Sequence, residues 1–126
     1  MALSLRAKKY RRTTEGAGLT VTQITDRTTG VTINSETGSI TTNTTSLAAE
    51  TVAEFTVTNN KVAVGDVVVV SIRSGSNGVM TSVEVSTVAA GSFKIRVING
   101  NPAAGAAETG AIIINFAVLK VFVYRA

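Results

Sequence analysis

The sequence feature that most constrains the fold is a long apolar run near the C-terminus. Residues 110–124 read GAIIINFAVLKVFVY. As a single strand at about 3.3 Å per residue, this run would extend about 45 Å, more than twice the length of a common strand. The three consecutive isoleucines disfavour a helix, because β-branched side chains lose χ1 freedom there. The run therefore predicts a strand that bends, breaks or leaves its own domain.

The alternation within this run changes phase between Val118 and Leu119. The larger apolar residues Ile112, Ile114, Phe116 and Val118 occupy even-numbered positions, whereas from Leu119 onward the alternating set is Leu119, Val121 and Val123, at odd-numbered ones. Because side chains alternate with period 2, such a slip exchanges the two faces of a strand, as a β-bulge would. We expect the first half to pack in its own core and the second half to contact another sheet or a neighbouring subunit. The residues that this prediction assigns to an oligomer interface are Leu119, Val121, Phe122 and Val123.

The composition restricts the chemistry available to the chain. Its 126 residues include no cysteine and no histidine, so disulfides, thiolate nucleophiles, imidazole bases and the usual ligands of zinc, copper and haem are excluded. An apolar content of 44% excludes a wholly disordered chain. We predict no catalytic residue, no metal site and no cofactor, and we expect a non-enzymatic protein.

The positive charge is concentrated at the N-terminus. Residues 1–14 carry five basic residues and no acidic one, whereas seven basic and eight acidic residues follow from Glu15 onward. This basic arm predicts a tether that becomes ordered on an acidic partner surface, although a solvated tail would have the same composition. Nucleic acid is the weaker candidate partner, because the chain has few aromatic residues for base stacking and no continuous basic groove. The candidate attachment residues are Arg6, Lys8, Lys9, Tyr10, Arg11 and Arg12.

The spacing of apolar residues and turn signals predicts an all-β fold. We expect an antiparallel β-sandwich or jelly roll of about eight strands with an extended N-terminal arm. The predicted divisions are a basic arm over 1–18, a Thr-rich strand and hairpin segment over 19–46, and a β-sandwich body over 47–126. Strands on either side of residues 34–38 predict a short hairpin. The continuous apolar run 67–72 predicts a central strand covered on both faces, in part by a subunit interface.

The acidic residues and the apolar run do not indicate further sites. Glu50 with Glu54, or Asp66 with Glu84, could form a carboxylate pair for glycoside hydrolysis, but solvated strand carboxylates explain them better. No loop has the alternating acidic residues of a calcium site. The first residues lack the apolar core of a secretory signal, and the run 111–124 is too short and too interrupted for a membrane span. We therefore expect a chain that begins in the cytoplasm and does not enter a membrane.

Several segments together resemble β-rich virion proteins of tailed bacteriophages. They are FTVTN at 55–59, VGDVVVVS at 64–71, GSFKIRV at 91–97, NGNP at 99–102 and the apolar run 112–121. The pattern, over about residues 47–123, is similar to capsid decoration (cement) proteins and to head-fibre modules. The resemblance implies a non-enzymatic structural protein on the capsid surface of the virion, commonly a homotrimer, with the major capsid protein as partner and assembly in the host cytoplasm.

We therefore expect a decoration protein that stabilises a phage capsid through its basic arm and a multimeric β-body. The alternative is a fibre or receptor-binding module that recognises glycans on the host surface. Sugar sites usually stack the sugar on aromatic rings, and this chain has no tryptophan and two tyrosines, which disfavours that alternative.

Overall fold

A computed structural model describes residues 19–120, and this part of the chain is a β-sandwich. Its eight strands form two four-stranded sheets, and no helix occurs in residues 19–120. Sheet A has the strand order β1-β3-β8-β5, and sheet B has the order β2-β4-β7-β6. The predicted all-β sandwich of about eight strands is confirmed. The strands are β1 (Thr20–Thr22), β2 (Val31–Thr32), β3 (Thr37–Thr41), β4 (Thr51–Thr58), β5 (Val67–Ser74), β6 (Thr81–Ala89), β7 (Ser92–Asn99) and β8 (Ile113–Leu119).

Both sheets are mixed rather than wholly antiparallel. Strands β1 and β3 pair in parallel in sheet A, and β2 and β4 pair in parallel in sheet B, whereas the other four pairs are antiparallel. The chain passes from one sheet to the other after each of the first five strands. Two crossings therefore separate β1 from β3, and two separate β2 from β4. The second strand of each pair runs in the same direction as the first.

The hairpin predicted around residues 34–38 is not formed. Strands β2 and β3 belong to different sheets, and the residues between them cross the sandwich. The Asn59 side chain holds this crossing, because its amide donates to Ser35 O (2.6 Å) and its carbonyl oxygen accepts from Ser35 N–H (3.3 Å). Ile33 and Ile40 on either side of the crossing are both buried. The burial of both isoleucines outweighs the local turn preference.

The prediction of a central strand at 67–72 is also wrong, whereas a cover from a neighbouring subunit stays a prediction. Strand β5 is an edge strand of sheet A, hydrogen-bonded to β8 alone among the described strands. Val68 is buried, whereas Val67 and Val69 remain 50% and 47% exposed. A run that is apolar on both faces indicates that both faces are suited to burial, but it does not determine which strands lie beside it.

The core lies between the sheets and depends on the apolar run near the C-terminus. Strand β8 is central in sheet A, and its residues Ile114, Phe116 and Val118 point into the core. The ring of Phe116 packs against that of Phe93 from sheet B, with 5.5 Å between centroids. Pairing with β5 is regular from Ile114 to Leu119, so no bulge occurs at the predicted phase change. Residues 121–123, the second half of that prediction, lie outside the described residues.

Candidate interaction surface

The outer face of sheet B is charged and internally paired. Arg96 on β7 lies directly between Glu54 on β4 and Glu84 on β6, and its guanidinium N–H groups donate to both carboxylates at 3.1 Å. A hydrogen bond from the Ser86 hydroxyl, followed by that from Arg96, lowers the pKa of Glu54. The structure therefore links Glu54 to Glu84 through Arg96, which lies between them. Arg96 bridges the two carboxylates in a surface ion-pair network, and the neighbouring Lys94 supplies the second positive charge that balances them.

The outer face of sheet A has the opposite character. Apart from the exposed Arg73 at the bulge near the end of β5, its outward positions on the three longest strands carry no charged residue, and we call this set of positions without Arg73 the uncharged face. Ser39 and Asn115 are hydrogen-bonded across β3 and β8, with the hydroxyl donating to the amide oxygen at 2.8 Å. The uncharged face consists of Thr37, Ser39 and Thr41 on β3, Ile113, Asn115, Ala117 and Leu119 on β8, and Val67, Val69 and Ser71 on β5.

The part of the uncharged face along β5 and β8 is apolar and exposed. Val67 lies opposite Leu119 in the strand register, and Val69 lies opposite Ala117. Leu119 is 52% exposed, which matches Val67 and Val69. Beside them, Ser71 and Asn115 help to line a shallow depression of about 280 Å³. The depression is open to solvent rather than enclosed.

The predicted site residues fall partly within this surface. Leu119, assigned to an oligomer interface from its position in the sequence, lies at the end of β8 on the uncharged face. Val67 and Val69 also lie there, although their continuous apolar run predicts a strand covered on both sides. The remaining predicted interface residues, Val121, Phe122 and Val123, and the arm residues Arg6, Lys8, Lys9, Tyr10, Arg11 and Arg12 lie outside the described residues.

One end of the uncharged face is fixed by an ion pair. Lys120 follows β8, and its ammonium group donates to the Asp66 carboxylate (2.5 Å) and to Lys61 O (2.6 Å). Asp66 is 8% exposed and its carboxylate also accepts from Ala63 N–H at 2.8 Å. This pair ties the end of β8 to the loop before β5.

A buried polar cluster, which the sequence analysis did not predict, joins the loops at one end of the sandwich. The carboxylate of Glu108 is completely buried and accepts five hydrogen bonds. Burial raises the pKa of Glu108, but these hydrogen bonds outweigh it and lower the pKa from 4.5 to about 2. The donors are Ser76 Oγ (2.6 Å), Thr81 Oγ1 (2.5 Å), and the N–H groups of Asn77 (2.9 Å), Gly78 (2.9 Å) and Gly110 (2.8 Å).

Arg27 occupies the other side of the same cluster. It is 3% exposed, and its guanidinium donates to the carbonyl oxygens of Glu108 (3.3 Å) and Gly110 (2.9 Å) and to Thr42 Oγ1 (3.0 Å). Burial lowers the pKa of Arg27, and the nearby Glu108 carboxylate partly offsets this effect. The partners of these two side chains belong to the loops at this end and to Thr81 at the start of β6. The cluster therefore joins the loops to one another and to sheet B.

Within residues 19–120, no group of acidic side chains is arranged to hold a metal ion. The same part of the chain has no helix that is long and apolar enough to span a membrane. Comparison with family models, curated proteins and solved structures gives no match to this chain.

Proposed function

We propose that this chain is a non-enzymatic structural protein of a phage particle, which binds the capsid through its basic arm and assembles through its β-body. The observation that carries the proposal is the contrast between the two outer faces of the sandwich. A charged, internally neutralised face on sheet B suits contact with water. The uncharged face of sheet A, with exposed Val67, Val69 and Leu119, suits contact with protein.

The charge distribution supports a separate role for the arm. Residues 1–14 carry five positive charges, whereas the remaining chain is nearly neutral. An acidic coat surface would attract the arm without interfering with contacts of the uncharged face. Each exposed ion pair contributes about 1 kcal/mol or less, so firm attachment requires several arms acting together in one multimer.

The fibre module that recognises glycans is the weaker proposal. Phe55, Phe93 and Phe116 are the only aromatic residues in 19–120, and all three are buried in the core. A sugar would therefore find no exposed ring for stacking in the described part of the chain. Specific binding to a glycan on an array would favour the fibre module over the capsid decoration protein.

The test of capsid binding is co-sedimentation with capsids of the phage that encodes the chain. Deletion of residues 1–14 should abolish binding if the arm is the tether. Undiminished binding of the deletion variant would remove the arm from the mechanism. Detection of the protein in purified virions, at a fixed copy number relative to coat, tests the virion assignment itself.

Two triple variants separate the arm from general charge. One neutralises three arm residues and the other neutralises three exposed residues of the β-body, so each lowers the net charge by three. We expect the arm variant to weaken capsid binding about ten-fold or more and the body variant to bind normally. Equal losses would indicate a non-specific charge effect. The arm variant is K8Q/K9Q/R11Q, and the body variant is K61Q/R73Q/K94Q.

A further inference from the structure

We propose that Asn77 is a site of spontaneous deamidation and that hydrogen bonds to Glu108 and Thr109 suppress the reaction in the folded protein. The reaction converts the Asn77 amide into a carboxylate, consumes water and releases ammonia. The inference goes beyond the proposed function and does not depend on it. It starts from the dipeptide Asn77–Gly78, which lies in the turn between β5 and β6.

An asparagine followed by glycine is prone to this reaction because glycine has no Cβ to hinder it and its backbone takes many conformations. The backbone nitrogen of the glycine attacks the side-chain Cγ of the asparagine and forms a C–N bond. The side-chain nitrogen leaves as ammonia and takes up the backbone proton, so that a five-membered succinimide remains. Water then adds to one of the two succinimide carbonyl carbons and breaks its C–N bond. The product is aspartate or isoaspartate.

Asn77 is the more accessible asparagine of the two Asn–Gly pairs in the sequence. The other pair is Asn99–Gly100, whose asparagine is 1% exposed. The Asn99 amide donates to two carbonyl oxygens, those of Leu47 (3.0 Å) and Ala106 (2.8 Å). Asn77 is exposed, so water reaches its side chain. We therefore expect the folded protein to be modified at Asn77 before Asn99, although the two pairs react similarly in an unfolded chain.

The attacking nitrogen of Gly78 is held by the buried cluster. Its N–H donates to Glu108 Oε1 at 2.9 Å, and the N–H of Asn77 donates to Oε2 of the same carboxylate, also at 2.9 Å. A carboxylate in this position accelerates the attack only if it is basic enough to remove the proton. Glu108 is a weak base, because its pKa is about 2, so it stabilises the N–H group instead. The attack therefore requires this hydrogen bond to break first.

The side chain of Asn77 is bound to the residue after Glu108. Its carbonyl oxygen accepts from Thr109 N–H at 3.0 Å, and its amide donates to Thr109 Oγ1 at 2.6 Å. Both reacting groups of the dipeptide are thus hydrogen-bonded to the segment before β8. Ring closure requires both to leave these partners, so the reaction proceeds from an opened turn whose population depends on the free energy of local opening.

The same cluster explains why a labile pair occurs in this turn. A Cβ atom on Gly78 would lie 2.6 Å from Thr81 Oγ1 and 2.9 Å from Glu108 Oε1, too close for a side chain. The glycine that makes the pair labile is therefore the residue that allows the cluster to close. Isoaspartate adds one carbon to the main chain between the N–H groups of residues 77 and 78. Because both groups donate to Glu108, formation of isoaspartate would misplace one donor and loosen the cluster.

The test is peptide mapping by mass spectrometry during incubation in mildly alkaline buffer, with isoaspartate detected by enzymatic methylation. Folded wild-type protein should be modified at Asn77 about 100-fold or more slowly than the urea-unfolded chain. Glu108→Gln should raise the rate in the folded protein about ten-fold or more, because the carboxylate that holds Gly78 N–H is lost. Thr109→Val removes only the hydroxyl that binds the Asn77 amide and should have a smaller effect in the same direction. It also provides a reading if Glu108→Gln folds poorly.

The matched control is Val57→Ala, which weakens the whole fold without touching the turn. Val57 is completely buried and pairs with Phe93, at the end of sheet B away from Thr81. The control should leave the rate at Asn77 unchanged. Equal acceleration by Val57→Ala and Glu108→Gln would overturn the proposal, because the reaction would then follow unfolding of the whole chain. Unchanged rates in Glu108→Gln and Thr109→Val, or faster modification of Asn99 than of Asn77 in folded wild type, would also overturn it.

Discussion

Glu108 is the residue on which the loop contacts at one end of the sandwich converge. Its five partners come from residues 76–81 and from Gly110, so one carboxylate joins the turn before β6 to the segment before β8. All five partners donate hydrogen bonds, which only an ionised carboxylate can accept together. The sequence showed a single acidic residue in a small-residue loop, with nothing to indicate these distant partners.

Glu108→Gln should therefore destabilise the fold. The new amide would direct N–H groups at N–H and O–H donors in a buried site, and we expect a loss of about 2–4 kcal/mol in the free energy of unfolding. Urea denaturation measures the loss. Glu84→Gln is the control, because Glu84 is on the surface with its side chain 49% exposed, and its effect should be much smaller. Similar losses for both variants would show that the buried cluster contributes no more to the free energy of unfolding than the surface ion pair does.

Glu108 also predicts how stability depends on pH. Its pKa in the folded protein is about 2, below the 4.5 expected for an unperturbed glutamate, so the unfolded state binds the proton more readily. The stabilisation is complete above about pH 5 and is lost as the pH falls from 4.5 towards 2, by about 3 kcal/mol in total. Urea titrations of wild type and Glu108→Gln at several pH values measure it. A fall of the same size in both proteins would assign it to other carboxylates.

At the level of elements, the segment after β5 and the segment before β8 cross so closely that neither has room for a Cβ atom at the crossing. A Cβ atom built on Gly75, whose φ is +92°, would lie 2.0 Å from Ala111 O. A Cβ on Gly110 would lie 1.9 Å from Gly75 O. Both positions require glycine because the neighbouring atoms belong to the backbone and cannot move aside. The crossing places Gly110 beside the Glu108 carboxylate.

Gly75→Ala should accordingly be far more harmful than Gly65→Ala. Gly65 has nearly the same φ, +91°, but nothing lies within 4 Å of its Cβ position. We expect Gly65→Ala to cost about 1 kcal/mol from backbone strain alone. Gly75→Ala should cost about 3 kcal/mol or more, because the clash adds to the strain. Thermal and urea unfolding measure both values, and equal costs would mean that the crossing relaxes easily.

The strands differ in how far the sequence predicts them. Strict alternation placed Phe55 and Val57 on the inner face of β4 and Ile95 on that of β7, as the structure has them. The position of a strand within its sheet depends instead on residues distant in sequence. The valines of β5 gave no sign that their only described partner would be β8. The turn residues 34–38 suit a hairpin and a crossing between sheets equally well.

For the whole molecule, the two outer faces of the sandwich differ in their charge and polarity. Leu119 was predicted as an interface residue from its sequence position, and the structure places it at an exposed end of the uncharged face. The extent of that face was not predictable, because it requires the alignment of three strands that are up to 82 residues apart in sequence, as are Thr37 and Leu119. The ion-paired face of sheet B likewise depends on the register of β4, β7 and β6.

Leu119→Asp should reduce self-association, whereas Thr32→Asp should not. Leu119 lies on the uncharged face and an aspartate there would place like charges together in a contact between copies. Thr32 is exposed on the short strand β2 of the other sheet. Light scattering at matched concentrations measures the difference. Intact assemblies for Leu119→Asp would show that this end of β8 lies outside the contact.

The central place of β8 has a consequence for the order in which the protein is made. Sheet B is complete once the ribosome has added Asn99, but β5 acquires its partner only when β8 has been synthesised. During that interval, the inner side of sheet B, including Phe93, has no opposing β8 to cover it. Chains emerging together on one messenger would expose apolar strands to each other at that stage. The body therefore closes only after Leu119 has left the exit tunnel, and chaperones that bind nascent apolar strands would act in this interval.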